Sequence, residues 1–333
     1  MNIKHITLWL AAAGLMMATA ACSADVAEPE ASQAEVTFTV GIDQIDSRAI
    51  GDGNTVDQLI FAVYDNQGNE VATLRQNEVP VSAGHATVIT HLVKGQTYSF
   101  AFWAQKRVGD NANNNGYYNT ATLRDVVVTY DGPANDERRD AFCASVNEML
   151  VTGDFSIEVT LRRPFAQLDY VCNLDEWTNL MNANYNLVGS DITIDAGAYT
   201  HLDVLTGVAT QPTTVPFTLR QVTDSDIMNN NRVYRFPSRR DNQGNYSRLF
   251  LTEGQPDQFW VSMNYLLATE QETPISAATM RIFAGETQSI EIPLTNLPIK
   301  RNHRTVVTLA NLTRVVTTTI TIDPNFGGDL GND

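Results

Sequence analysis

The sequence predicts an all-β protein built from two β-sandwich domains, and three observations carry that expectation. Apolar and polar residues alternate over short runs, as in Val36-Thr37-Phe38-Thr39-Val40, which puts three apolar side chains on one face. Turn-forming clusters separate the runs, and one of them, Asp-Asn-Gln-Gly-Asn, occurs at 65–69 and again at 241–245. Helical periodicity appears in only two places, too few to cover the faces of a parallel sheet. At 333 residues, 43% of them hydrophobic, the chain can build two cores.

In chain order, the first strand is Val36–Val40. Leu59–Tyr64 runs into the turn at 65–69, and Val71–Leu74 reads as the returning strand of a hairpin. Strands follow at Ala86–Ile89, Thr97–Ala104, Val126–Tyr130 and Phe155–Leu161. Residues 137–150 read as a helix, with Asn135 or Asp136 as cap and Phe142, Val146, Met149 and Leu150 at helical spacing. A shorter helix begins after Asn173, with Asp175 and Glu176 in its first turn and Leu174, Trp177, Leu180 and Met181 facing inward. Strands resume at Asp191–Ile194, Val215–Arg220, Phe259–Leu267, Ala278–Phe283, Ser289–Leu294, Thr305–Leu309 and Val315–Ile322. The boundary between the domains is placed at Arg162-Arg163-Pro164, giving domains over 35–163 and 164–333.

The first residues have a different character. Lys4 and His5 form a polar head, Ile6–Met17 is apolar, and small residues follow up to Ala21. That pattern is a secretory signal peptide over 1–21, too short to span a bilayer as a helix. Residues 22–34 read as a tether, because the stretch after Cys22 is acidic, contains Pro29 and holds almost no large apolar group. A net charge of −16 without any basic run argues against nucleic acid and anionic membrane surfaces as partners. Beyond Cys22 only Cys143 and Cys172 remain, and they read either as one disulfide or as two free thiols.

Chemistry-bearing motifs are missing, so no enzyme, cofactor or metal is expected. The histidines do not pair with a second His or Cys at metal-ligand spacing, and no nucleophile elbow or phosphate loop occurs. The loop at 51–57 offers Asp52, Asn54 and Asp57 but lacks the ligand count of a calcium loop and reads as a turn. Among the aromatics, Trp103, Trp177 and Trp260 fall on core-facing patterns. Tyr117 and Tyr118, at the end of the polar loop 111–119, are the candidate platform for stacking on a sugar ring.

Several tracts resemble a known family. The segment 293–326, with Asn302-His303-Arg304-Thr305 leading to Leu309-Ala310-Asn311-Leu312-Thr313, resembles the C-terminal signature of the Bacteroidales fimbrillins, the type V pilins. Residues 117–144 and 161–170 look like one fimbrillin-like subgroup, and Thr19-Ala20-Ala21-Cys22 resembles a lipobox, in which Cys22 is lipidated. The acidic stretch after Cys22 also resembles a surface-export signal of lipoproteins from that group. A single acyl chain anchors weakly, so a stable anchor carries more than one.

The resemblance implies transthyretin-like topology in both sandwiches, an outer-membrane lipoprotein on the cell surface, and assembly with other fimbrial subunits or with itself. In that family a protease of trypsin-like specificity removes the first strand, and a strand from another subunit fills the groove. Here the cut is expected between Arg48 and Ala49, because Arg48 is the only Lys or Arg between Lys4 and Arg75. The strand that plugs the groove is then the one bearing Val36, Phe38 and Val40. The candidate donor is the last strand, with Val316, Thr318, Ile320 and Ile322 on one face. The function expected is that of a structural or adhesive fimbrial subunit. The alternative is a surface lipoprotein that binds glycan or a host ligand without polymerising.

Overall fold

Alternation becomes sheet in the computed structural model, which describes residues 32–42, 53, 55–134, 136–183, 185–218, 251–252, 255–284, 288–314 and 316–323. Every element lies in the unit Gln33–Asp333. The fold is all-β, with one short α-helix among the described residues. None of the described helices is long and apolar enough to cross a membrane.

Two sheets form the first sandwich. One contains β1 (Gln33–Ile42), β4 (His85–Val93) and β9 (Phe155–Leu161) in the order β4-β1-β9. The other contains β2 (Gln58–Tyr64), β3 (Gln76–Pro80), β5 (Thr97–Gln105) and β8 (Ala141–Leu150) in the order β3-β2-β5-β8. Between them Val36, Phe38, Leu59, Phe61, Val63, Val88, Phe100 and Phe102 form one continuous core.

The second sandwich pairs a five-stranded with a six-stranded sheet. The five-stranded sheet holds β10 (Phe165–Asn173), β13 (Leu251–Thr252), β14 (Gln255–Leu267), β17 (Arg304–Ala310) and β18 (Thr317–Asp323), ordered β13-β14-β10-β17-β18. The six-stranded sheet holds β6 (Tyr118–Asn119), β7 (Val126–Val128), β11 (Asn186–Asp203), β12 (Val208–Thr218), β15 (Thr273–Ala284) and β16 (Gln288–Ile299). Its path is β16-β15-β11-β7-β6, with β12 also on β11. Two strands of the first half, β6 and β7, are thus built into a sheet of the second.

The two cores meet across one sheet. Every residue of β2 is buried. Leu59, Phe61 and Val63 face the first core, while Ile60, Ala62 and Tyr64 belong to the second, together with Ala101 and Trp103 of β5. A half-exposed antiparallel sheet would alternate apolar and polar residues; this one reads as a continuous apolar run because both faces are covered.

The expected hairpin turn is present. Asp65 Oδ1 accepts the Gln67 and Asn69 N–H groups at 2.8 and 2.9 Å, and Gly68 takes φ +80°, where a side chain would be strained. The segment Val71–Leu74 is not its strand, since Ala72–Leu74 forms a 3-10 turn and β3 begins at Gln76. The second copy of the turn sequence lies outside the described residues. The short helix α1 (Leu174–Asn182) forms as expected: Asn173 Oδ1 accepts the Glu176 N–H at 2.8 Å, and Trp177 and Leu180 are buried.

The helix expected over 137–150 is strand β8, preceded by a 3-10 turn at Glu137–Arg139 for which Asp136 is the cap. Its spacing has a specific cause. In the pairing with β5, Tyr98 lies opposite Met149 and Phe100 opposite Val146, so Asn147 and Glu148 together face Ser99. That bulge, with Glu148 at φ +54°, inserts one residue and returns Met149 to the face of Phe142 and Val146. Residues 142, 146 and 149 then mimic a helical stripe. Both Cys143 and Cys172 are free thiols.

Charged groups are buried where the halves meet. Arg163, 0% exposed, donates from Nε and Nη2 to the Asp140 carboxylate at 2.7 and 2.9 Å, and its guanidinium lies 4.3 Å from the Phe142 ring centroid. Arg139 donates to the carbonyls of Thr129, Asp131 and Pro133. Deep in the second sandwich, burial holds the Asp169 carboxyl well above the usual range, opposed by the Arg304 guanidinium, whose Nε lies 3.8 Å away. Asp140→Ala leaves the Arg163 charge buried without its carboxylate and should cost about 3–5 kcal/mol in urea-unfolding free energy. A loss under about 1 kcal/mol, the range of an exposed pair, would show that the pair is not a structural junction.

Candidate functional site

The site is the slot that β1 fills. β1 runs antiparallel to β4, from Gln33 opposite Val93 to Gly41 opposite His85, and parallel to β9, from Val36 opposite Phe155 to Ile42 opposite Leu161. Its backbone is therefore engaged along both edges. At its ends the Glu35 N–H donates to Asp154 Oδ1 at 3.0 Å and the Ile42 N–H to the Gly84 carbonyl at 2.9 Å.

Alternation decides which side chains enter the core. Ala34, Val36 and Phe38 are 0% exposed and Val40 is 2% exposed, while Glu35 and Thr39 face solvent. Burial of a Val or Phe of this kind contributes about 1.5–3 kcal/mol. Phe38 is held by three rings, with centroids at 4.8 Å to Phe100, 5.3 Å to Phe102 and 5.5 Å to Phe61. Tilted and edge-on contacts of this sort add to the burial itself. Without β1, the facing edges of β4 and β9 would carry open backbone donors and acceptors above four apolar pockets. A second extended segment with alternating apolar residues could take both.

Sequence reading found Val36, Phe38 and Val40 but not Ala34, whose small side chain gave no apolar signal, nor the three phenylalanines from distant strands. Arg48, Ala49 and Cys22 lie outside the described residues. Gly53 is the first residue described after Ile42. The Gly53 N–H donates to Asp140 Oδ2 at 3.2 Å, and a Cβ there, at φ +69°, would stand 3.1 Å from the Phe142 ring. Thr55 Oγ1 donates to the Glu137 carbonyl at 3.0 Å, and Val56 is buried. The two hydrogen bonds involve no residue of β1, although Ile42, its last residue, lies 3.6 Å from the place of that Cβ and Val56 shares the core of Val36, Phe38 and Val40.

The last strand, β18, lies at one edge of its sheet, paired with β17 from Thr317 opposite Ala310 to Asp323 opposite Arg304. Val316 and Ile320 pack partly buried against the second core, Ile322 is half-buried and Thr318 is exposed.

The expected sugar platform is corrected. Tyr118 is 1% exposed, donates its hydroxyl to the Arg139 carbonyl and packs against Trp103 and Phe165. It belongs to β6 and to the core, so it offers no face to a ligand. Tyr117 is half-buried, donates to Asp136, and has the Arg139 guanidinium 4.0 Å from its ring centroid. Trp103 and Trp177 are core residues, as expected. Among the described residues no cluster of three His, Cys, Asp or Glu side chains could hold a metal ion.

These sheets define an all-β sandwich protein. The DUF6562 family, a family of unknown function, matches residues 28–333, and the chain belongs to it. No curated protein matches the sequence. Among solved structures, the chain is similar to the tip fimbrial protein Mfa3 from Porphyromonas gingivalis, with a C-terminal truncation. Identity is 13% and the TM-score 0.47, over 88% of this chain and 99% of that one. It is also similar to a candidate cell adhesion protein from Bacteroides uniformis, at 12% identity and a TM-score of 0.49, over 89% and 99%. A fimbrial assembly protein from Parabacteroides distasonis is similar at 10% identity and a TM-score of 0.41, over 88% and 98%.

Burial sets a pH limit on this region. It pushes the Tyr117 hydroxyl up to about 12, with the Asp136 hydrogen bond adding to the effect, and moves Tyr118 well above its ordinary value. The folded chain then holds these protons more tightly than the unfolded chain. The stability these two groups contribute is full below about pH 10, the value of a free tyrosine, and is lost as pH rises above it. The melting temperature of the wild type should fall more steeply above about pH 10 than that of Tyr118→Phe. Equal alkaline slopes for both proteins would contradict this account.

Proposed function

We propose that the chain is a structural or adhesive subunit of a cell-surface fimbria, carried to the surface as a lipoprotein and assembled by replacement of its first strand. One observation carries the reading: β1 is a central strand, bonded on both edges, and the only Lys or Arg between Lys4 and Arg75 follows six residues after its end. In this reading Cys22 carries the lipid, cleavage occurs between Arg48 and Ala49, and the excised segment leaves β4 and β9 facing each other across an open slot.

The anchoring of Gly53 and Thr55 supports the reading further. The Gly53 and Thr55 hydrogen bonds go to Asp140 and Glu137, so they survive the loss of β1. The ligand-binding alternative loses its leading candidate with the burial of Tyr118.

Limited trypsin digestion followed by N-terminal sequencing and size-exclusion chromatography tests the proposal. The expected result is a new N-terminus at Ala49 and a shift to larger species or to a complex with a second subunit. An intact Arg48, or a nicked chain that stays monomeric with its first strand still bound in the presence of candidate partners, would overturn it.

A further inference from the structure

We infer that the strand which replaces β1 is supplied by a different protein, not by β18 of a second copy, and that its recognition code is small, β-branched, aromatic, β-branched at alternate positions. The inference rests on the strand-replacement reading above and goes beyond it, because it names the chemistry of the partner.

β1 is itself the template for whatever takes its place. Its inward residues, Ala34, Val36, Phe38 and Val40, have exposures of 0, 0, 0 and 2%, so each pocket is filled to its walls. The third pocket is lined by Phe61, Phe100 and Phe102, all themselves buried, with Phe61 and Phe102 centred 5.2 Å apart. A close-packed interior does not adjust freely to a smaller side chain, so an aliphatic or hydroxyl group there leaves a void beside three rings. The first pocket has the opposite demand, since a large side chain at the place of Ala34 overpacks it.

β18 meets neither demand. One face offers Val316, Thr318, Ile320 and Ile322, the other Val315 and three threonines, and no aromatic or small apolar residue occurs over 315–323. Every register therefore sets Val, Thr or Ile against the phenylalanine cluster, and most bury a threonine hydroxyl without a partner. Phe326, the next aromatic, does not rescue the match. Placed in the third pocket and running with β1, it brings Pro324 to the place of Val36, Gly328 to that of Val40 and Ile322 to that of Ala34. Running the other way, it brings Pro324 to Val40 and Leu330 to Ala34. Proline has no N–H for a strand that must bond on both edges. β18 is also occupied, paired with β17 over its whole length. The β1 of a second copy fits by definition, but it already fills its own slot, and moving it only opens one slot to close another.

The test uses the full chain with a sequence-specific protease site in place of Arg48, so that nicking does not depend on trypsin. Fluorescent peptides are added to the nicked protein after β1 has been cleared from it, and incorporation is followed by anisotropy and native mass spectrometry. The peptides are residues 33–42, the same peptide with Phe38→Ile or Phe38→Ala, and residues 315–323. The 33–42 peptide should enter; the isoleucine variant should bind about tenfold more weakly and the alanine variant about 100-fold more weakly. The 315–323 peptide should not enter. Entry of the 315–323 peptide or the isoleucine variant on equal terms with 33–42 overturns the recognition code while leaving strand replacement standing. Failure of the 33–42 peptide itself overturns strand replacement, and the code with it.

Discussion

The sheet shared by the two cores is the constraint on which the rest of the structure depends. Because β2 is buried along its whole length and β5 along most of it, neither face can be given up without exposing a core. Ile60, Ala62, Tyr64, Ala101 and Trp103 bind this sheet to the second sandwich, whatever happens on the other side. The other side is the floor of the β1 slot, where Phe61, Phe100 and Phe102 stand. A floor fixed from behind can lose the strand in front of it and keep its shape. In the proposed reading, that asymmetry lets β1 be exchanged while the sheet beneath it stays folded.

The same division governs the polar interior. The buried Asp140–Arg163 pair lies between the segment that follows the slot and the start of the second half, and it also receives the Gly53 N–H. A buried pair of this kind is weak evidence for added stability, since taking both charges out of water costs several kcal/mol each. The Gly53 N–H bond places the first residue described after Ile42 against this pair. The hydrogen bonds of this junction do not use β1, although Ile42 at its end packs close to Gly53.

Legibility in the sequence followed the range of the interactions. The alternation of Val36, Phe38 and Val40, the Asp65–Asn69 turn and the Asn173 cap are local, and each was readable from a few adjacent residues. The β8 bulge defeated periodicity because one inserted residue converts a period of two into apparent helical spacing. Strand β10 was not anticipated at all. Gln167 and Asp169 interrupt its apolar run, yet both are 0% exposed. Their burial depends on partners elsewhere in the fold, so no window of sequence contains the signal. Tyr118 failed for the same reason: adjacent tyrosines after a polar loop look solvent-facing until β6 is seen paired inside a sheet. The slot itself was half legible, its plug in one short strand and its walls on four others.

The central claim is that β1 is a removable plug and that the sheet beneath it, β2 and β5, stays folded without it. Hydrogen–deuterium exchange of β4 and β9, read on the intact chain, the chain nicked after Arg48 and cleared of β1, and the nicked chain refilled with the 33–42 peptide, tests it directly. The account predicts slow exchange in the intact chain, fast exchange confined to β4 and β9 in the emptied chain, and slow exchange again after refilling, with β2 and β5 protected throughout. Exchange that spreads through β2 and β5 when β1 leaves would show that the strand is part of the permanent core and would contradict the account.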